Sequence, residues 1–180
     1  MELTETVIGT EPIYHGRILD LRIDTVRQAD GREIKREIVA HRGAVCIVPV
    51  RDDGMVLLVR QFRLAAGQAL LEIPAGKREQ NEEPRQCALR ELEEETGYRA
   101  SELIPLYTAY LAPGYSTELM YAYLATGLTP GQTNPDEGEN LELVEIPMKE
   151  IERRVLAGEF ADAKTIAALM MASSLYQSKG

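Results

Sequence analysis

The order of apolar and polar stretches along the chain predicts a sheet-rich domain. Residues 17–24 alternate partly between polar and apolar side chains, which is typical of a strand with one solvated face. Residues 44–50 and 55–61 are almost wholly apolar on either side of a turn at 52–54, which predicts a hairpin whose strands are covered on both faces. Further strands are predicted at residues 33–41, 70–74, 102–111, 118–125 and 140–146.

Capping signals predict three helices. Pro84 suits the first turn of a helix, and Gly97 is a typical residue to end it. Residues 148–156 and 162–176 predict two more helices, with Asp162 as the N-cap of the second. Strands, a central helix, more strands and then helices indicate an α+β fold, layered as an α/β/α sandwich around a mixed sheet.

The first 41 residues predict a small antiparallel sheet of their own. Such a sheet buries little apolar surface, so it must pack against another surface. We therefore expect an N-terminal β-sheet region at residues 1–41 and a main domain at residues 42–180.

Composition and charge exclude several classes of protein. The chain has 180 residues, with 20 Lys and Arg against 29 Asp and Glu and a net charge of -9, which disfavours binding to nucleic acid or to an anionic membrane. The longest apolar run, residues 43–50, is too short to span a bilayer, and residues 1–10 do not resemble a signal peptide. Cys46 and Cys87 are unclustered, so we expect reduced thiols and a cytoplasmic protein.

The predicted central helix carries the candidate chemistry. Glu91, Glu94 and Glu95 share one helical face, while Ala88 and Leu92 lie on another that can pack on the sheet. Three carboxylates at this spacing repel one another unless a divalent cation lies between them. Oxygen ligands without His or Cys favour Mg²⁺, with Mn²⁺ possible. A solvated acidic face is the alternative for a Glu-rich run taken alone.

The wider spacing resembles the Nudix box. That motif is a glycine, five residues, a glutamate, seven residues, and then Arg-Glu-aliphatic-x-Glu-Glu-x-Gly-aliphatic. The matching positions are Gly76, Glu82, Arg90, Glu91, Leu92, Glu94, Glu95 and Gly97. Only Tyr98 departs from the pattern, at a packing position. The resemblance implies a Nudix hydrolase, which cleaves a nucleoside diphosphate linked to another group, with the box as a loop–helix–loop metal platform.

The same resemblance implies the metal ligands. Glu91 and Glu95 are implied to be direct ligands, Glu94 a further or water-mediated one, and the main-chain carbonyl of Ala75 an additional one. Arg90 and Glu82 are implied to brace the platform.

A second stretch resembles the ADP-ribose pyrophosphatase group within this family. Residues 112–118 are similar to its Ser-Pro-Gly-x-x-x-Glu signature, with Ala112 in place of the serine. An ordinary Pro-Gly turn between two strands is the alternative. Other segments that resemble the group are residues 35–39, 60–63, 71–77 and 162–165.

The group resemblance implies contacts with two parts of the substrate. Arg63 is implied to reach the phosphates, and Lys77, at the entry to the box, belongs to the same substrate-binding set. Glu118 and the backbone of Pro113 and Gly114 are implied to lie near the terminal ribose.

The resemblance also implies a homodimer with swapped N-terminal sheets. Arg36 and Glu37 are then expected to meet the adenine end of the substrate from the other subunit. Their alternative is an exposed pair of strand residues that interact across a hairpin.

The general base is expected in the acidic loop at residues 136–140. We assign the base to Glu137 and a metal contact to Glu139, with the two roles open to exchange. A solvated polar loop is the alternative.

The expected reaction is Mg²⁺-dependent hydrolysis of ADP-ribose to AMP and ribose 5-phosphate. One alternative is another nucleoside diphosphate derivative, either a nucleotide sugar or a dinucleotide. The other is a Nudix-like module that senses ADP-ribose without cleaving it, although such a sensor does not need all of Glu91, Glu94 and Glu95.

Overall fold

A computed structural model describes residues 3–134 and 140–177 of the chain. The strands in these residues are β1 (Glu5–His15), β2 (Asp20–Gln28), β3 (Glu33–Ala40), β4 (Ala44–Pro49), β5 (Met55–Arg63), β6 (Gln68–Glu72), β7 (Ala75–Lys77), β8 (Tyr98–Tyr110), β9 (Leu119–Pro130) and β10 (Glu142–Pro147). The helices are α1 (Pro84–Thr96), α2 (Met148–Leu156) and α3 (Ala163–Gln177), with a short 3₁₀ helix at Leu64–Ala66. Among the described residues, no helix has the length and apolar character needed to cross a membrane.

The chain divides into two compact units, Met1–Gly43 with Ala109–Leu119, and Ala44–Thr108 with Met120–Gly180. The first unit therefore takes in residues 109–119 as well as the N-terminal sheet.

The first unit is built on the antiparallel sheet β1-β2-β3. Thr10 lies opposite Asp24 and donates its hydroxyl to Oδ1 at 2.8 Å, which ties β1 to β2. Residues 109–119 join this sheet through Val39, whose N–H donates to the Tyr115 carbonyl at 2.8 Å. The Thr117 N–H donates in turn to the Val39 carbonyl at 3.0 Å. The free edge of β3 thus explains why a distant segment belongs to this unit.

Two sheets form the second unit, in the orders β7-β4-β9-β8 and β10-β5-β6. The predicted β4–β5 hairpin is therefore wrong, because the two strands lie in different sheets. Among the described residues, backbone pairing next to the turn is limited to the isolated bridge Val50–Val56. Both strands are apolar on both faces, so each is a central strand with neighbours from elsewhere in the chain: β4 pairs in parallel with β9, and β5 pairs with β10 and β6.

The core of this unit lies on both faces of β4. Val45 and Ile47 pack with Cys87, Ala88 and Leu92 of α1. The alternate residues of β4 face an opposite cluster that includes Cys46, Val48, Leu58, Ile151 and Leu169. Helix α1 thus covers one face, while β5, α2 and α3 cover the other. This arrangement confirms the predicted α+β class and α/β/α sandwich.

The helix ends confirm the capping predictions. Helix α1 begins at Pro84, and Gly97 ends it in the left-handed conformation with φ of 73°, donating its N–H to the Glu93 carbonyl at 2.8 Å. Asp162 caps α3, because its Oδ2 accepts the Thr165 N–H at 3.1 Å.

The strand predicted at residues 118–125 ends too early, since β9 continues through Gly127 to Pro130. Gly127 has a φ of 62°, and a Cβ there would lie 2.0 Å from the Ser101 hydroxyl oxygen. The absence of a side chain at Gly127 therefore lets β9 pass close to Ser101 of β8. Because glycine in a sequence more often indicates a turn, this role is not evident from the sequence.

Candidate active site

Gly76 lies where the strand before α1 approaches a carboxylate of that helix. A Cβ on Gly76 would lie 1.9 Å from Cδ of Glu91, and 2.0 Å and 2.3 Å from its two oxygens. A side chain at position 76 would therefore displace the Glu91 carboxylate. The glycine of the box is required by this contact.

Arg90 is the centre of an ion-pair cluster on α1. Its Nε and Nη2 donate to the two carboxylate oxygens of Glu82 at 2.9 and 3.0 Å. Its Nη1 donates to Glu91 at 2.8 Å and to Glu94 at 2.9 Å, while Nη2 also reaches the Lys77 carbonyl at 3.3 Å. One guanidinium thus holds three carboxylates and the end of β7 in a fixed relation.

Glu82 closes the loop between β7 and α1. Its carboxylate accepts the Glu79 N–H at 2.9 Å, and its carbonyl accepts Nε of Arg78 at 3.0 Å. The hydrogen bonds from Arg90 are the main reason that the pKa of Glu82 falls from 4.5 to about 2. Arg78 also stacks over the Tyr121 ring at 5.6 Å. These contacts make Arg90 and Glu82 braces of the loop, as the resemblance to the Nudix box implies.

Glu95 is the most buried of the three carboxylates, with 6% of the residue exposed. Its Oε2 accepts the Ala75 N–H at 3.1 Å, which places this carboxylate beside the residue predicted to supply a main-chain ligand. The side chains of Glu91 and Glu94 are 13% and 27% exposed. Glu91 and Glu95 therefore lie against β7, while Glu94 pairs with Arg90.

The donor set is all oxygen, which suits Mg²⁺ or Mn²⁺. The Glu91 carboxylate lies against Gly76, and Glu95 accepts the N–H of the adjacent residue, Ala75, so two of the proposed ligands lie beside β7. Within residues 3–134 and 140–177, no three His, Cys, Asp or Glu side chains converge into a ready metal cage. Metal ligation by Ala75, Glu91, Glu94 and Glu95 stays a prediction.

A second charged cluster lies in the same unit and contains Arg63. Nε and Nη2 of Arg63 donate to the two oxygens of Glu72 at 2.7 and 2.9 Å. Lys164 donates to Glu72 at 2.5 Å and to Asp162 at 2.8 Å. The pKa of Arg63 is raised chiefly by its hydrogen bonds to Glu72, and the charge of Glu95 adds to this effect. The cluster is therefore electrostatically coupled to the box.

Burial and pairing act in opposite directions on Glu72. Its side chain is only 2% exposed, and burial alone would raise its pKa. Hydrogen bonds and charge from Arg63 and Lys164 outweigh burial, so the pKa is lowered. Sequence reasoning did not select Glu72 or Lys164 as site residues. The resemblance of residues 71–77 and 162–165 to the pyrophosphatase group covers both segments without assigning a role to either residue.

The remaining predicted substrate residues lie in the first unit. Nη2 of Arg36 donates to Glu5 at 2.6 Å, across the sheet, and Glu37 is exposed on β3. Pro113 and Gly114 form a turn in which the Tyr115 N–H donates to the Ala112 carbonyl at 3.1 Å.

Glu118 lies beside a histidine that sequence reasoning did not select. Its Oε1 is 3.9 Å from Nδ1 of His41, whose side chain is 10% exposed. The same Nδ1 accepts the Gly43 N–H at 3.1 Å.

The predicted set thus falls into separate groups. The second unit holds Ala75, Lys77, Glu91, Glu94, Glu95 and Arg63, and the first unit holds Arg36, Glu37, Pro113, Gly114 and Glu118. Glu137 and Glu139 lie outside the described residues. Asn134, the last described residue before them, donates its N–H to the Glu94 carbonyl at 3.1 Å.

Comparison with known proteins decides the family. The family model of the NUDIX domain matches residues 40–169. The chain belongs to the NUDIX family. The resemblance of the box and the predicted fold are both confirmed.

Two relatives and one solved structure match nearly the whole chain. The ADP-ribose pyrophosphatase of Bacillus subtilis (strain 168) is 40% identical over 169 residues, covering 93% of this chain and 91% of the relative. The methanol dehydrogenase activator of Bacillus methanolicus is 37% identical over 167 residues, covering 92% and 90%. A crystal structure of an ADP compounds hydrolase superposes with a TM-score of 0.86 at 26% identity, covering 98% of this chain and 96% of its own.

Proposed function

We propose that this NUDIX protein is a Mg²⁺-dependent pyrophosphohydrolase that cleaves ADP-ribose to AMP and ribose 5-phosphate. The observation that carries the proposal is the platform of Gly76, Arg90 and the three glutamates on α1. The 40% identity to an ADP-ribose pyrophosphatase over most of both chains supports the choice of substrate.

Ala75, Glu91, Glu94 and Glu95 would hold the metal. When bound, Mg²⁺ neutralises the diphosphate and makes an attacking water more acidic. Arg90 keeps two of the carboxylates in place, and the Ala75 N–H fixes the third, Glu95. This preorganisation reduces the rearrangement that binding would otherwise require.

The ends of the substrate are assigned to the other predicted residues. Arg63 and Lys77 would contact the phosphates, and Glu118 with the Pro113-Gly114 backbone would contact the terminal ribose. The turn at Gly114 leaves space, since a Cβ there would meet no atom within 4 Å. Arg36 and Glu37 would contact the adenine from a partner subunit.

The general base is assigned to Glu137, with Glu139 as a further metal contact. A carboxylate without direct metal ligation is the better proton acceptor, because a bound cation lowers basicity. Asn134, the last described residue before Glu137, donates its N–H to the Glu94 carbonyl near the carboxyl end of α1, which supports the assignment.

We also propose a cytoplasmic homodimer. Every residue of β1 is exposed, including Val7 at 56%, Ile13 at 48% and Tyr14 at 60%. An exposed strand with apolar side chains on it is a typical subunit contact. Cys46 and Cys87 are free and buried, which suits a reducing compartment.

A substrate panel tests the proposed reaction. ADP-ribose, ADP-glucose, NADH, GDP-mannose and diadenosine polyphosphates would be assayed with Mg²⁺ and with EDTA. We expect the highest kcat/KM for ADP-ribose, AMP as a product, and no turnover in EDTA. Faster turnover of another compound would favour that alternative, and tight binding of ADP-ribose without hydrolysis would favour the sensing module.

Glu95→Gln is expected to remove most of the activity. Loss of an anionic donor in a preorganised site should cost about 100-fold or more in kcat. Glu93→Gln is the matched control, because Glu93 lies on the same helix but pairs with Arg99. Activity assays at several Mg²⁺ concentrations would measure both variants. Full turnover by Glu95→Gln would exclude the box mechanism.

A further inference from the structure

The first turn of α3 is joined to the segment that leads into the box by two contacts. Lys164 donates to Glu72 at 2.5 Å, and the Ile73 N–H donates to the Thr165 hydroxyl at 3.1 Å. Thr165 is itself held by Asp162, which accepts its hydroxyl at 2.5 Å. The start of α3 is therefore a fixed support for Glu72.

Glu72 in turn fixes the guanidinium of Arg63. Two parallel hydrogen bonds hold the plane of that group, which a single contact would leave free to rotate. The side chains of Glu72, Lys164 and Asp162 are 2%, 10% and 19% exposed, whereas that of Arg63 is 39% exposed. Only Arg63 is accessible enough to meet a ligand.

The hydrogen-bond donors of Arg63 that do not contact Glu72 indicate a role in binding a ligand. Nε and Nη2 donate to Glu72, and among the described residues Nη1 has no hydrogen-bond partner. A guanidinium with fixed orientation and spare donors suits a phosphate oxygen.

The charges in this cluster balance. Arg63 and Lys164 carry two positive charges, and Glu72 and Asp162 carry two negative charges. Without Lys164, the Glu72 carboxylate would pair with Arg63 alone. It would then neutralise more of the positive charge of Arg63. Lys164 therefore leaves Arg63 a larger net attraction for an incoming anion.

We propose that Lys164 is a positioning residue, which acts through Glu72 to orient Arg63 and preserve its charge for the substrate diphosphate. The proposal rests on the proposed function only in taking a diphosphate as the ligand of Arg63. It applies to any nucleoside diphosphate derivative that the wild type cleaves. If the wild-type protein does not cleave ADP-ribose, the proposed function fails, but the role of Lys164 can still be tested. The variants are then assayed with the compound that the wild type cleaves.

The test is a double-mutant cycle of Lys164→Met and Arg63→Met, with KM and kcat measured for each protein. Loss of one charged contact predicts a KM about tenfold higher for Lys164→Met, with kcat within about threefold of wild type. In the Arg63→Met background, the same change should alter KM by less than about twofold, because its effect passes through Arg63. Lys164→Arg should restore KM to within about threefold of wild type.

Asp162→Asn is a second test, for which KM is not expected to rise as it does in Lys164→Met. The substitution keeps the helix cap, since Asn is also a good N-cap. Removing this negative charge leaves Lys164 wholly to Glu72, so KM should stay unchanged or fall. Arg154→Met is the matched control, because Arg154 also bridges two acids, Glu150 and Glu159, on the surface of α2. We expect it to leave KM and kcat unchanged.

Three results would overturn the proposal. Multiplicative effects of Lys164→Met and Arg63→Met on KM would show independent roles. A KM raised by Asp162→Asn as much as by Lys164→Met would show that the cluster only supports the fold. An unchanged KM in a folded Lys164→Met protein would show that Lys164 has no influence on Arg63. If Lys164→Met does not fold, the KM values of Asp162→Asn and Lys164→Arg decide the matter.

Discussion

Gly76 is required by the side chain that lies against it. Its backbone does not adopt a positive φ, unlike Gly54 at 79° and Gly97 at 73°. The Glu91 carboxylate occupies the space that a Cβ would fill. The requirement for glycine at position 76 and the position of Glu91, a proposed metal ligand, therefore follow from the same contact.

Gly76→Ala is expected to lower kcat/KM by about 100-fold, because displacement of a catalytic group by about 1 Å has effects of this size. Gly9→Ala is the matched control, since a Cβ at Gly9 would meet only Thr25, at 3.9 Å. Kinetics with Mg²⁺ and thermal unfolding of both variants would make the comparison. Near-normal kinetics of Gly76→Ala would show that Glu91 need not lie where the structure has it.

Glu137→Gln is expected to reduce kcat by roughly 10²–10⁴ while leaving substrate affinity nearly unchanged, as for removal of a general base. Glu139→Gln should in addition raise the Mg²⁺ concentration needed for half-maximal activity. Kinetics across a Mg²⁺ series would separate the two effects. Near-normal turnover of Glu137→Gln with an inactive Glu139→Gln would reverse the assignment, and no effect of either would move the base to Glu94.

At the scale of elements, the loop and helix of the box form one rigid piece. Arg90 lies on α1, and its guanidinium contacts Glu82 in the loop and the Lys77 carbonyl at the end of β7. These hydrogen bonds tie the loop, α1 and β7 to one another. Glu82 is at the centre of this brace, so its ionisation should influence stability.

Glu82→Gln is expected to destabilise the protein by on the order of 2 kcal/mol at pH 7, since the charged pair with Arg90 is lost. The pKa of Glu82 is lowered from 4.5 to about 2 in the folded protein. Its contribution is fully present above pH 4.5 and is lost as the pH falls toward 2. Denaturant unfolding at pH 7 and at pH 3 should therefore show a smaller difference from wild type at pH 3.

Glu83→Gln is the control for this measurement, because Glu83 is the adjacent residue and makes no side-chain cap hydrogen bond. We expect its effect to be small at both pH values. A difference between Glu82→Gln and wild type that stays constant from pH 7 to pH 3 would contradict the assigned pKa.

At the scale of the whole molecule, the two units differ in how far the residues of their strands are buried. The second unit has residues of β4 buried at every position, while the first unit has a strand, β1, exposed at every position. A sheet of this kind gains stability from association, since exposed apolar residues and strand edges favour pairing with another chain.

We expect a homodimer at micromolar concentration by sedimentation velocity. Val7→Asp should shift the equilibrium toward monomer and reduce activity, because the partner is proposed to supply Arg36 and Glu37 to the substrate site. Thr6→Asp, a polar residue of the same strand, should have a much weaker effect. A stable monomer with full activity would contradict both the dimer and the shared site.

The sequence alone determined the features that depend on local spacing. Helical periodicity placed Glu91, Glu94 and Glu95 on one face, and the turn-forming residues Pro84 and Gly97 fixed the ends of α1. These features follow from bond geometry and hydrogen bonding within a few residues, so they are readable from the chain.

Only the tertiary structure decided which distant segments meet. It separated β4 from β5 into two sheets, joined Val39 to residues 115–117, and brought Lys164 to Glu72. Strand periodicity reports that a strand is buried on both faces, but many edges can satisfy that pattern equally well. The choice among them depends on contacts summed over the whole chain, and a buried carboxylate such as Glu72 is stable only where folding delivers its cations.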